Sequence, residues 1–341
     1  MEEKQRKRLL WQLPFLTLLV VGTILIIRHQ QTMPYHQSAG FIFGTSYRVI
    51  YQCDSDLSQS IKNELMKVDH SLSPFNEKSV ITAVNNNEPV VLDDMFQEVF
   101  RKAMAISRET DGAFDITVAP LVNAWGFGFK NGTQPDHRQV DSLLEIIGYE
   151  KLSLANGKLQ KKDPRIMLDC SAIAKGYGTD VVARLLNDRG VQNFMVEVGG
   201  EIVTKGVNAQ RLQWKIGVTK PDDDSLSLGN ELQTILNVTD KAMATSGNYR
   251  RFYYKGGKRF AHTIDPKTGY PVQHSILSAT VLAKDCATAD AYATSFMVMG
   301  LDRAKIILEH HPELMAYLIY DDGHGKNAVW FSPSLQDKIA N

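Results

Sequence analysis

Leu168-Asp169-Cys170-Ser171-Ala172-Ile173-Ala174-Lys175-Gly176-Tyr177-Gly178-Thr179-Asp180, continuing through Val181 to Gly200, is the stretch that decides the fold class. An apolar strand end meets Asp169, and small residues then open a helix that carries Lys175. Val181, Val182, Leu185 and Leu186 continue it inward at helical spacing to Asp188, and Gly190 stops it. Phe194 to Val198 is a short buried strand, closed by Gly199-Gly200.

Working outward, Phe41 to Gln52 mixes β-branched and aromatic residues around Gly44, a strand with a kink or bulge. Leu57 to His70 has a helical pattern. Asp93 to Arg108 has a stronger one, with Met95, Phe96, Val99, Phe100, Ala103 and Met104 on one stripe. Trp214 to Val218, Leu277 to Ala283 and Met315 to Tyr320 read as strands, and Ala287 to Met299 as a helix rich in small residues. Strands and helices are interspersed without regular alternation, so the expected class is α+β. No repeat or interdomain linker appears, and residues 39–338 read as a single large catalytic domain of one or two lobes.

The 341 residues carry 38 Lys and Arg against 38 Asp and Glu, a net charge of zero. No basic tilt points to nucleic acid. Cys53, Cys170 and Cys286 are too few and too widely spaced for a disulfide scaffold or a zinc site, and free buried thiols are the simple reading. Whether Cys170 and Cys286 meet is left open.

Lys4, Arg6, Lys7 and Arg8 precede an uncharged run of 19 residues, Leu9 to Ile27, closed by Arg28. At 1.5 Å rise per residue such a run spans a hydrocarbon core. Residues 1–29 are therefore expected to form a cytoplasmic basic tip and a transmembrane helix, with the rest of the chain on the outer side. No small-residue cleavage site follows, and the first cysteine is too late for a lipoprotein. Residues 30–38 read as a polar tether.

Several chemistries are missing. There is no GxSxG elbow, no HExxH, no Walker loop and no complete GxGxxG fingerprint. Four other segments concentrate chemically expensive residues. Thr110-Asp111-Gly112-Ala113-Phe114-Asp115-Ile116-Thr117, running on to Trp125-Gly126-Phe127-Gly128, could line a flat ring system, or be a helix stop with a core aromatic. Asp169 to Lys175 could offer a phosphate a helix N-terminus and an ammonium, or be a capped helix with an exposed lysine. Glu197-Val198-Gly199-Gly200-Glu201 allows close backbone approach, or is a plain hairpin turn.

The fourth segment is the longest. Ala244-Thr245-Ser246-Gly247-Asn248-Tyr249-Arg250 is followed by His262-Thr263-Ile264-Asp265-Pro266-Lys267-Thr268-Gly269-Tyr270-Pro271-Val272 and by Ala289-Asp290-Ala291-Tyr292-Ala293-Thr294. Asp290 and Thr294 stand at i and i+4 on a helix, and two oxygens on one side suit a hard cation such as Mg²⁺. Alone, such a pair is more often a polar stripe. His262 could take a proton from a hydroxyl nucleophile, or be a structural histidine bonded to Asp265.

Together and in this order, these segments resemble the ApbE family of FAD:protein FMN transferases, from Gly44-Thr45 to about Gly300. The resemblance implies a Mg²⁺ site at the Ala172 carbonyl, Asp290 and Thr294. It implies FAD contacts from Ala113, Phe114, Asp115, Asp169, Lys175, His262 and Ile264, with Thr245, Ser246 and Gly247 nearby. His262 is the expected general base, with Asp265 beside it. The family's early flavin contacts fall on Phe43 and Phe75, where this chain departs from the usual Met and Tyr. The lipobox cysteine common in the family is also absent.

The implied reaction is attack of a threonine or serine hydroxyl of an acceptor protein on the FMN-side phosphorus of FAD, with AMP leaving. Mg²⁺ is the implied cofactor and FAD the substrate. The implied acceptors are subunits of membrane electron-transfer complexes. The alternatives are an FAD pyrophosphatase, in which water replaces the hydroxyl, and a non-catalytic FAD-binding protein.

Overall fold

The computed structural model describes residues 2–129, 135–221, 232–247, 252–255, 258–261, 263–272, 276–324 and 326–340. The chain opens with helix α1 (Glu2–Thr32), which holds Pro14 in its interior. Leu13, Phe15, Leu16, Leu18 and Leu25 of this helix are at least half exposed. Among the described residues, no helix is long and apolar enough to cross a membrane. The expected transmembrane helix is therefore not confirmed. The segment read as a tether contains the end of α1 and the start of a paired strand, because β1 (Tyr35–Ile42) runs antiparallel to β2 (Thr45–Gln52) over its whole length. The kink expected at Gly44 is the turn of this hairpin. Phe43 and Gly44 take φ of 53° and 70°, the left-handed pair that a tight two-residue hairpin needs.

Helices α2 (Ser58–Leu72), α3 (Val80–Asn85) and α4 (Asp94–Glu109) follow, then α5 (Ala119–Ala124) and α6 (His137–Leu144). Asp93 caps α4 by accepting from the Phe96 N–H. Phe96, Val99, Phe100, Ala103 and Met104 of the expected stripe are buried together. A small hairpin, β3 (Leu152–Ala155) and β4 (Lys158–Lys161), leads to α7 (Ala174–Asp188). Residues 166–170 are irregular, so the strand end expected before Asp169 is absent, and the helix starts five residues after it.

The second half supplies β5 (Phe194–Val198), β6 (Glu201–Lys205), β7 (Trp214–Thr219), β8 (Leu232–Val238), β9 (Lys241–Gly247), β10 (Phe252–Lys255), β11 (Lys258–Ala261) and β12 (Ile276–Ala283). Helices α8 (Cys286–Met299) and α9 (Leu301–His310) and strands β13 (Met315–Asp321) and β14 (Asn327–Phe331) complete it. The main sheet has eight strands in the order β1-β2-β5-β6-β9-β12-β13-β14, and every neighbouring pair is antiparallel.

Successive residues of these strands face opposite cores. Ala242, Ala244, Ala279 and Val281 join the helix-side core with α4, α7 and α8. Met243, Leu282, Tyr317 and Ile319 join the other core, roofed by Trp214, Ile216, Leu236 and Val238 of the β7–β8 hairpin. Strand β12 is covered on both faces, which explains why it reads as an apolar run and not as alternation. Helix α8 is apolar on every side because it is enclosed by β9, β12, α4 and α7. A buried carboxylate on such a helix has to be held by something.

Candidate active site

Asp290, 2% exposed, is that carboxylate. The Gly176 backbone N–H, in the first turn of α7, donates to Asp290 Oδ2 across 3.1 Å. The positive end of a helix stabilises an anion there. Lys175 Nζ lies 3.6 Å from the same oxygen and 2.9 Å from Glu201 Oε1. Helix α7 can come this close only because residue 176 is glycine. A Cβ there would sit 2.3 Å from the Cys286 carbonyl oxygen.

Glu201 follows the turn made by Gly199 and Gly200, whose φ values are 64° and 104°. The hairpin reading of this segment therefore holds, with Val198 paired to Glu201. The turn also packs against the charged groups. A Cβ at Gly199 would meet Thr45 Cγ2 at 2.8 Å, and Glu201 Oε2 and Lys175 Cδ at 3.3 Å. Glu201 is 3% exposed, and its Oε2 has no hydrogen-bond partner among the described residues. Burial pushes its carboxyl above the usual carboxylate range, against the pull of Lys175. Burial alone would lower the Lys175 ammonium, but Asp290 and Glu201 outweigh it and raise the group well above the usual lysine value.

The second oxygen ligand expected on α8 is Thr294, half-buried one turn after Asp290. Its hydroxyl is 3.1 Å from that of Ser246 on β9. Thr245 pairs with Thr280 at 2.9 Å, and Gly247 ends the strand opposite Ser278. The Ala172 carbonyl belongs to the turn that leads into α7. Among the described residues no group of three or more His, Cys, Asp or Glu is arranged to hold a metal. Mg²⁺ does not require one, since it is commonly held by one or two carboxylates together with substrate phosphates. No hydrogen bond from a described residue reaches Asp290 Oδ1. The Asp290 carboxylate, the Thr294 hydroxyl and the Ala172 carbonyl are all hard oxygens. The residues present fit such a cation.

The other expected site residues form a connected floor. The Asp169 N–H donates to the Ile116 carbonyl at 2.8 Å, which joins the segment before α7 to the Ala113-Phe114-Asp115 segment. Asp169 Oδ1 accepts from the Ser171 N–H at 2.8 Å, making a local turn rather than a helix cap. Burial raises its carboxyl pKa. Asp115 is buried and accepts from the Thr117 N–H and hydroxyl and from the Tyr149 N–H. Its carboxyl pKa is also raised by burial. Phe114 is 2% exposed and its ring lies in the main core beside Ala113.

Phe75 is 68% exposed and meets Phe129 edge-on, with ring centroids 6.2 Å apart. Phe43 packs on α7, where a Cβ at Gly178 would be 2.8 Å from its ring. Trp125 Nε1–H donates to the Gly269 carbonyl at 2.8 Å and so ties the aromatic segment to the 263–272 loop. In that loop Ile264 is buried and bridges to Pro271. Both Asp265 carboxylate oxygens are engaged within the turn, by the Lys267 N–H at 2.8 Å and the Thr268 hydroxyl at 3.2 Å. His262, the expected base, lies outside the described residues. Cys53, Cys170 and Cys286 are all free thiols.

Against known proteins, the model of the ApbE family matches residues 43–319, which includes every group described above. The chain belongs to the ApbE family. Curated relatives named FAD:protein FMN transferase include those of Vibrio cholerae, 37% identical with 84% of this chain and 88% of that protein covered, and of Haemophilus influenzae, 36% identical with 84% and 87% covered. Among solved structures, the flavin transferase ApbE of Vibrio cholerae superposes with a TM-score of 0.81 at 34% identity, covering 89% of this chain and 100% of that one. The apo form of the Pseudomonas stutzeri flavinyl transferase ApbE gives 0.80 at 27% identity, covering 90% and 97%. The fold is thus the mixed helix-and-sheet domain of ApbE structures.

Sequence reasoning missed Glu201, and also Asp180, which accepts from the Cys286 and Ala287 N–H groups at the start of α8. Glu201 was visible beside the paired glycines but carried no spacing to a partner. Asp180 sits at i+4 from Gly176, a same-face spacing that could have been noticed.

Proposed function

We propose that this chain transfers FMN from FAD to a hydroxyl of an acceptor protein, with AMP as the leaving group. The observation that carries the reading is the held carboxylate: Asp290 fixed by the Gly176 N–H and by Lys175, one turn from the Thr294 hydroxyl on the same side of α8. Family membership supplies the substrate class through the relatives' names.

Asp290, Thr294 and the Ala172 carbonyl would hold Mg²⁺, which when bound supplies positive charge against the pyrophosphate oxygens. Lys175, fixed by Glu201, helps to orient Asp290. The Thr294 hydroxyl is set by Ser246. In the transfer, a new bond forms from the acceptor oxygen to the FMN-side phosphorus while the bond to the AMP oxygen breaks. The hydroxyl proton passes to His262, the base that the family resemblance implies. Such a transfer needs positioning and charge neutralisation more than covalent help. The acceptor is a threonine or serine of a membrane electron-transfer protein. The exposed apolar side chains of α1, within the uncharged run from Leu9 to Ile27, support anchoring in a lipid bilayer with the catalytic domain on the outer side.

The test is product analysis of the full chain with FAD, with and without Mg²⁺ and with and without an acceptor domain. AMP release that requires both supports transfer. AMP and free FMN without acceptor shows hydrolysis instead, and FAD bound but unchanged shows a binding protein.

A further inference from the structure

The first turn of any α-helix leaves backbone N–H groups that its own carbonyls cannot take. In α8 these groups are satisfied from two sources. The Thr288 N–H donates to Asp285 Oδ1 at 2.9 Å and the Ala289 N–H to the Asp285 carbonyl at 3.2 Å, the usual work of an N-cap. The Cys286 and Ala287 N–H groups donate instead to Asp180, to Oδ1 at 2.7 Å and to Oδ2 at 2.9 Å. Asp180 belongs to α7, so one helix holds the start of the other with a two-pronged carboxylate.

Asp180 is one turn after Gly176, whose N–H holds Asp290. Helix α7 therefore grips α8 at two points on one face: the helix start through Asp180 and the Asp290 carboxylate through Gly176. Along α8, Cys286, Asp290 and Thr294 recur at four-residue steps and share a face. Any slide or rotation at Cys286 is carried to both oxygen ligands.

The other charged groups at this end are Asp285 and Lys102, whose Nζ is 2.9 Å from both Asp285 carboxylate oxygens and 2.9 Å from the Thr288 hydroxyl. Lys102 thus braces Asp285 from α4, while Asp180 relies on the two N–H groups and the helix's positive end.

We propose that Asp180 is a positioning residue for the cation site: it sets the axial position and rotation of α8 and so aims Asp290 and Thr294. This rests on the reading that those two residues hold Mg²⁺. Asp180→Asn keeps the size of the side chain but turns an amide donor toward one of the two N–H groups. Asp285→Asn is the control, since asparagine caps a helix as well as aspartate does.

The experiment is Mg²⁺ titration of the full chain in detergent by calorimetry, using the metal alone, together with transfer rates at increasing Mg²⁺. Asp180→Asn should weaken Mg²⁺ binding by roughly 10–100-fold, the range for loss of a group that orients a metal ligand. Its rate should recover at high Mg²⁺, while Asp285→Asn binds as the parent does. Parent-like Mg²⁺ affinity in a folded Asp180→Asn protein overturns the proposal. If that variant does not fold, Asp180→Glu, with the same charge on a longer arm, replaces it under the same two outcomes. A parent that binds no Mg²⁺, either alone or with FAD present, overturns the underlying reading of Asp290 and Thr294, a failure distinct from the first.

Discussion

The Gly176 backbone N–H and the Asp290 carboxylate meet across 3.1 Å, joining the first turn of one helix to the middle of another. The bond gives a buried anion a partner that cannot move independently of the fold. It also places the acidic residue expected to face the pyrophosphate where a positive helix end supports its charge.

Replacing Asp290 with asparagine should leave the fold intact, because an amide oxygen still accepts from Gly176. Mg²⁺-dependent transfer should nonetheless fall by more than the roughly 10–100-fold that follows loss of a merely orienting group. Rates with saturating FAD, alongside a thermal melt, check both halves. Full activity in a folded Asp290→Asn protein would sink the cation assignment.

Gly176→Ala should be severe for a different reason. The new Cβ would lie 2.3 Å from the Cys286 carbonyl oxygen and 2.6 Å from its carbon, and backbone cannot step aside as a side chain can. Overpacking of this kind costs about 1–3 kcal/mol. Urea unfolding should show that loss together with weakened Mg²⁺ binding, since the helices must separate.

Glu201 gives a pH signature. Its folded carboxyl is raised above the ordinary 4.5 by burial, so the folded protein holds more protons than the unfolded chain once pH passes that value. Stability contributed at this site is highest at or below the unfolded value and declines as pH rises toward the folded one. Glu201→Gln removes the titration while keeping an acceptor for Lys175. Between about pH 5 and pH 8, parent stability minus variant stability should decline with pH, as read by urea unfolding. A difference that is flat across this window contradicts the burial argument.

Removing residues 1–31 should release the protein from lipid without ending catalysis. The full chain should float with vesicles and the shortened one should not, while both transfer FMN at similar rates. Equal partitioning of the two would remove α1 from the account of anchoring.

Much of the helical framework was legible because burial is one-sided there. The stripe from Phe96 to Met104 and the inward residues of α7 follow from spacing alone. Helix α8 was readable as well, since Asp290 is the one charged residue in a helix that is otherwise uncharged and mostly apolar. Other features depend on neighbours distant in sequence. The Phe43-Gly44 turn looked like a kink because Tyr35–Ile42 is polar for a strand and shows its pairing only against β2. The burial of Phe114 was one of two open readings, because sequence cannot tell an aromatic facing a cleft from one facing a core. Asp180 looked like ordinary helix polarity, and only the start of α8, more than a hundred residues later, gives it a task.

The most direct test of the central claim is the intact mass of an acceptor domain after incubation with the full chain, FAD and Mg²⁺, with AMP assayed in the same tube. The expected result is an acceptor heavier by one FMN and an equal amount of AMP. AMP with an unchanged acceptor mass, across several acceptor domains that bear a modifiable threonine or serine, would contradict transfer and make this chain a hydrolase.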